Sequence, residues 1–220
     1  HGLFSAGIPY RVYGGLRFFE RAEIRNAVAY LQLIDNPDNN TAFLRVVNFP
    51  TRGIGTRTIE QLQEIAKSQG CSLYAALPYV TGRGGAALNA FAQLLGQMRA
   101  EVNDMPLPEL IQTVLEKSGI MQQYRSEKEG AERVENLEQL ISAATVFLSE
   151  EGFSLDAPAL RIEHLPDNDS NAPRLPPVAD QVMDGDELLS LAMSPLSAFL
   201  THASLEAGDN QAGEGEDALQ

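Results

Sequence analysis

Cysteine is nearly absent from this 220-residue chain. Cys71 stands alone, so no internal disulfide can form and no multi-cysteine zinc site can be built. Histidine is almost as scarce, and His1, His164 and His202 are too scattered to suggest a metal centre or a catalytic pairing. No apolar run approaches the roughly 18 residues that a transmembrane helix needs. The first residues, His1 to Phe4, lack the basic-then-apolar order of an export signal. Also missing are a Gly-rich run ending in Gly-Lys-Ser or Gly-Lys-Thr, which excludes a P-loop, and any nucleophile elbow. Asp184-Gly185-Asp186-Glu187 lacks the further spaced oxygen ligands of a calcium loop and reads as a solvated acidic linker. These absences predict a cytoplasmic chain with no membrane partner, no metal, no cofactor and no catalytic residue of its own. With 44% apolar and 21% charged residues it can still bury a core of one or two domains. It opens on His and closes on an acidic polar run, which suggests a piece excised from something longer.

Positive charge is scarce too, but unevenly so. The net charge is −14. Residues 1–83 carry nine Lys/Arg against six Asp/Glu, residues 84–150 five against ten, and residues 151–220 two against fourteen. Eight of the nine cations in the first segment are Arg, whose planar fork suits phosphate. A local anion-binding surface can therefore exist within an acidic whole.

What is present is mostly helical periodicity. Ile24, Ala27, Val28, Leu31 and Ile34 recur at three- and four-residue steps within 18–34, one face of an amphipathic helix stopped by Asn36-Pro37. A short helix is predicted over 40–48 with Phe43, Val46 and Val47 inward, and another from about Thr58 through Ala66. That second helix would open with a Thr58/Gln61 capping box and end at Gly70. Further helices are predicted over 73–80, 86–102, 107–118, 132–148 and 196–205, with Gly119 ending one of them and Gly82-Arg83-Gly84-Gly85 forming a loop before another. His202 reads as a half-buried or surface helical residue. Tyr10-Arg11-Val12-Tyr13 before Gly14-Gly15 predicts one short N-terminal strand. Residues 154–187 hold five prolines and eight acidic residues without periodicity, and read as a mobile insert. The fold class expected is mainly α, a multi-helix subdomain with a helix-hairpin-helix-like turn and that single strand.

The chemistry lies in Thr51-Arg52-Gly53-Ile54-Gly55-Thr56-Arg57-Thr58, between two of these helices. Two glycines allow positive φ and close approach to a phosphate, Ile54 can plug the core beneath, and the amides opening the next helix point at an anion. Arg52 and Arg57 flank the turn, Thr51, Thr56 and Thr58 add hydroxyls, and no acidic residue intervenes. Such a site grips backbone rather than reading sequence. Gly53-Ile54-Gly55 can equally be a mere tight connection between packed helices; the flanking Arg and Thr residues favour DNA.

The run Tyr10-Arg11-Val12-Tyr13-Gly14-Gly15-Leu16-Arg17-Phe18-Phe19-Glu20-Arg21-Ala22-Glu23-Ile24, then Ala29-Tyr30-Leu31, closely resembles the segment after motif IV in the UvrD/PcrA/Rep helicases of superfamily 1. The likeness continues through Arg45-Val46-Val47-Asn48, Pro50-Thr51-Arg52-Gly53-Ile54-Gly55, Arg133-Val134-Glu135-Asn136-Leu137 and Phe199-Leu200-Thr201-His202-Ala203-Ser204-Leu205-Glu206. The resemblance implies that residues 1–34 are the edge of motor subdomain 2A with its connecting helix, and that 35–220 are a 2B-like helical subdomain. It further implies an ATP-driven, magnesium-dependent 3′ to 5′ DNA helicase of repair as the longer protein, gripping duplex DNA with the Gly-Ile-Gly turn. Arg17, Phe19 and Arg21 fall in the motor-edge motif, where packing and helix capping are the expected duties. The Walker lysine, the magnesium ligands and the arginine finger are not in this stretch, so the piece itself should not hydrolyse ATP. The partners implied are the duplex backbone and the motor subdomains. The alternative is a protein-interaction module recruiting repair or transcription proteins.

Overall fold

The computed structural model describes residues 17–160 and 193–212. Among them run nine α-helices: α1 (Ala22–Asp35), α2 (Asn40–Val46), α3 (Thr56–Gln69), α4 (Leu73–Ala76), α5 (Gly82–Glu101), α6 (Leu107–Lys117), α7 (Ile120–Ser126), α8 (Ala131–Glu150) and α9 (Pro195–Ala212). Single 3-10 turns, Phe18–Glu20 and Leu77–Tyr79, precede α1 and follow α4. The protein is mainly α. The expected strand at Tyr10 to Tyr13 lies outside the described residues.

Helix α1 is the axis on which the others are hung. Ile24, Ala27, Ala29, Tyr30, Leu31, Leu33 and Ile34 are all buried, so its apolar surface runs most of the way round rather than along one stripe. A helix of that kind needs neighbours on several sides, and α2, α5, α6, α8 and α9 supply them. It stops where expected: Asn36 is extended and its N–H donates to the Gln32 carbonyl, just before Pro37. Helix α2 starts with the Asn39 side chain accepting from the Ala42 N–H at 3.0 Å. Phe43, Val46 and Val47 are fully buried, as their spacing predicts.

Arg21, at the start of α1, donates through its guanidinium to Asn136 Oδ1 on α8, and Asn136 in turn donates to the buried Glu23 at 2.7 Å. Phe19 sets its ring edge-on to Phe18, Phe199 and His202. The half-buried His202 ring also lies 5.3 Å from that of Phe147. Arg21 and Phe19 thus have packing duties, and His202 sits as expected.

Four expectations are corrected. Helix α3 begins at Thr56 with Gly55 at its N-cap and no side-chain cap, so Thr58 is inside the first turn and forms no capping box. The Gly55 carbonyl accepts from both the Thr58 and the Ile59 N–H, which winds the helix two residues early. Gly82 to Gly85 are the first turn of α5 and not a loop. At Gly85 the lack of a side chain permits the packing: a Cβ there would sit 2.1 Å from the Val80 carbonyl oxygen. Residues 120–126, which showed no separate signal, form α7 after Gly119 at φ +84°.

The fourth correction concerns the acidic insert, whose first residues are built into the body. Ala159 is fully buried, its N–H donates to the Met105 carbonyl and its own carbonyl accepts from the Leu196 N–H, each at 2.9 Å. The approach to α6, the end of the 154–160 segment and the start of α9 are thereby stitched together. Two backbone hydrogen bonds outweigh the acidic composition that argued for mobility. Residues 161–187 of the expected insert lie outside the described residues.

Candidate nucleic-acid interface

The eight residues singled out in the sequence are continuous: Thr51 to Gly55 form the turn that leads from α2, and Thr56, Arg57 and Thr58 open α3. The turn's scaffold is Asn48, whose Oδ1 accepts from the Arg52 N–H at 2.8 Å and from the Ile54 N–H at 3.2 Å. Those bonds fold the chain so that Ile54 drops into the core, 1% exposed, while Thr51, Gly53, Gly55, Thr56 and Arg57 stay on the surface. Gly53 has φ +73°, a conformation that a side chain strains. Gly55 does not: it is extended at φ −81°, ψ 163°. Only one of the two glycines is there for positive φ.

With the Arg52 and Ile54 amides committed to Asn48, those of Gly53, Gly55, Thr56 and Arg57 have no acceptor among the described residues. The first turn of α3 carries no acidic residue and no side-chain cap. An uncapped helix start beside free turn amides suits an anion. Arg57 is exposed and has no ion pair among the described residues. Thr58 is half-buried, because its side chain abuts Gly84: a Cβ there would lie 2.5 Å from Thr58 Oγ1. The start of α5 therefore stands against the start of α3. It too has no side-chain cap and no acid in its first turn, and Arg83 is exposed on it.

Arg52 departs from the sequence expectation. Its guanidinium donates to the carbonyls of Ser118 at 2.8 Å, Pro50 at 3.0 Å and Val46 at 3.3 Å, and stands over the rings of Phe91 and Tyr30 at 5.1 and 5.8 Å. It is half-buried cross-bracing, not a loose arm. Tyr30 shares one acceptor with it, the Val46 carbonyl at 3.4 Å, and its hydroxyl donates more closely to the Phe49 carbonyl at 2.6 Å; burial pushes its pKa up to about 12 against the lowering influence of Arg52.

Sequence reading missed a second place where positive charge gathers. Arg25 on α1 and Arg45 on α2 line a cleft of about 530 Å³ together with Phe19, Leu44, Ala203, Ser204 and a single carboxylate, Glu20. Burial and the neighbouring Arg25 charge lower the pKa of Arg45, and its Nε, closed off from water, has no acceptor among the described residues. The Arg-rich composition of 1–83 was the only available signal, and it names no pair. Among the described residues no group of His, Cys, Asp and Glu could hold a metal ion, and no helix is long and apolar enough to cross a membrane.

A family model described as the UvrD-like helicase C-terminal domain matches residues 1–217. The chain belongs to that family. DNA helicase II of Haemophilus influenzae and DNA helicase II of Escherichia coli are each 36% identical to it over 99% of this chain and 26% of their own length. The ATP-dependent DNA helicase PcrA of Bacillus subtilis is 31% identical over 66% of the chain and 21% of its own length. This UvrD-like domain thus spans about a quarter of the curated relatives it matches.

Proposed function

We propose that this UvrD-like domain is the 2B-like, duplex-DNA-binding and regulatory part of an ATP-dependent 3′ to 5′ helicase of DNA repair. It contacts backbone phosphates through the turn from Thr51 to Thr58. The observation that carries this reading is the exposed turn with four amides unpartnered among the described residues, a positive-φ glycine, an uncapped helix start and no carboxylate. Hydrogen bonds from backbone N–H groups and from Arg57 serve any sequence, as a translocating motor requires. The family supports the wider frame: the longer protein would bind ATP and magnesium in its motor subdomains, work in the cytoplasm, and use this domain to hold the duplex.

The test is a salt titration of binding to a fluorescent duplex. Arg57→Ala is expected to weaken binding and flatten the slope of log K against log salt by about 0.9, the contribution of one phosphate contact. Binding unchanged by that substitution at every salt concentration would remove the turn from the interface. No binding even at low ionic strength would favour the protein-interaction module instead.

A further inference from the structure

We propose that Arg52 is a positioning residue for duplex binding: it acts by bracing the phosphate-binding turn against the α6–α7 corner and does not itself contact phosphate. The inference rests on the proposed duplex-binding role of the turn and deepens it.

Three observations carry it. First, the guanidinium is spent on protein acceptors from three parts of the chain, the end of α2, the turn itself and Ser118, which lies 66 residues away in sequence. Ser118 caps α6 immediately before Gly119 at φ +84°, so the brace ends on the corner where the chain reverses into α7. Hydrogen bonds from a charged donor are the strong ones, and here they tie together the carbonyls of Pro50 and Ser118 and that of Val46, which also accepts from the Phe49 N–H. Second, the same group lies over two aromatic faces, where the cation is held in place by the rings as well as by its hydrogen bonds. Third, Arg52 directly precedes Gly53, and its own N–H is one of the two that Asn48 holds. Side chain and main chain of one residue therefore fix the point from which the free amides of Gly53, Gly55, Thr56 and Arg57 are presented. To reach a phosphate, Arg52 would have to abandon three carbonyls; Arg57, exposed on the first turn of α3, has no ion pair among the described residues to give up.

A lysine cannot reproduce this fork, since its ammonium is a single point donor. Arg52→Lys and Arg52→Met are each expected to bind a fluorescent duplex roughly tenfold more weakly than the unsubstituted chain. That is a loss of about 1.4 kcal/mol. Both should keep the unsubstituted salt slope, because no phosphate contact is lost. Arg57→Ala, measured alongside, should lose about 0.9 of that slope. Titrations are run well below each variant's melting midpoint, so that lowered stability alone cannot lower affinity. A phosphate-contacting Arg52 would show the reverse pattern, with Arg52→Lys near normal and Arg52→Met losing slope, and this overturns the proposal. Normal affinity in both folded variants reduces Arg52 to a purely structural residue and overturns it equally. If Arg52→Met does not fold, Arg52→Lys decides alone: weaker binding at unchanged slope upholds the proposal, normal binding ends it. An unchanged slope in Arg57→Ala, or no duplex binding by the unsubstituted chain, would instead show that the underlying reading of the turn has failed.

Discussion

Gly53 and Gly55 look alike in the sequence and do different work. Gly53 needs its positive φ, so Gly53→Val should cost about 1–3 kcal/mol in a denaturant melt and weaken duplex binding with it. A melt like that of the unsubstituted chain would show the turn to be slack. Gly55 is an uncapped, extended N-cap with open space around its Cβ position. An aspartate there satisfies the first amides of α3, so Gly55→Asp should melt no lower than the unsubstituted chain, yet bind duplex more weakly because it takes the phosphate's donors and adds a like charge. Retained affinity would exclude those amides from the interface. At Tyr30 the neutral phenol is the buried form, with a pKa near 12 against about 10 unfolded. The unfolded chain therefore releases its proton first. Stability from this residue is intact below pH 10 and falls by about 1.4 kcal/mol per unit between pH 10 and 12. Urea melts across that window should be steeper in pH for the unsubstituted chain than for Tyr30→Phe; parallel curves would contradict the burial argument. The turn was legible as a candidate because glycine, arginine and threonine together suit phosphate chemistry and lie within eight consecutive residues. The bracing contacts of Arg52 were not, because one of its partners, the Ser118 carbonyl, is distant in sequence and carries no residue-type signature.

The helices themselves were largely readable, since most end on a local device. Gly70 closes α3 at φ +64° and Gly119 follows α6 at φ +84°, both visible as glycines after an apolar period. The misreadings share a cause: tertiary packing decided where local chemistry was ambiguous. Thr58 and Gln61 fitted a capping box, but the Gly55 carbonyl starts α3 earlier, and Thr58 is instead packed against Gly84. Four residues rich in glycine looked like a loop at Gly82 to Gly85, yet they open α5, where the Thr58 side chain leaves no room for a Cβ on Gly84 and the Val80 carbonyl none on Gly85. Glycines inside elements can therefore be sorted by what surrounds them. A Cβ on Gly130 would fall 1.7 Å from the Tyr124 carbonyl oxygen, main chain that cannot swing aside, at the junction of α7 and α8. Gly130→Ala should destabilise by about 1–3 kcal/mol through overpacking. Gly96, exposed in mid-α5 with nothing within 4 Å, should behave oppositely, Gly96→Ala adding about 0.4–1 kcal/mol. Thermal melts of the pair check both; equal effects would mean that backbone crowding at the α7–α8 junction is not what requires glycine.

Over the whole molecule, charge and packing divide the labour. The Arg-rich first third supplies the turn, the α1 axis and most of the Arg25/Arg45 cleft, while the acidic composition of the remainder disfavours a polyanion. Weak binding that strengthens at low salt is the expected behaviour of this domain alone. The mainly helical architecture and the position of the turn between α2 and α3 follow from periodicity; the stitching of Ala159 to Met105 and Leu196 does not, because backbone pairing between distant segments leaves no mark in composition. The central claim is that the turn presents free main-chain donors to a phosphate backbone, and a duplex titration followed by amide chemical shifts in a uniformly nitrogen-15-labelled chain tests it most directly. The largest shifts should fall on the amides of Gly53, Gly55, Thr56 and Arg57, with those of Arg52 and Ile54, already held by Asn48, moving less. Saturable binding with shifts confined to other surfaces, and none at those four amides, would contradict it.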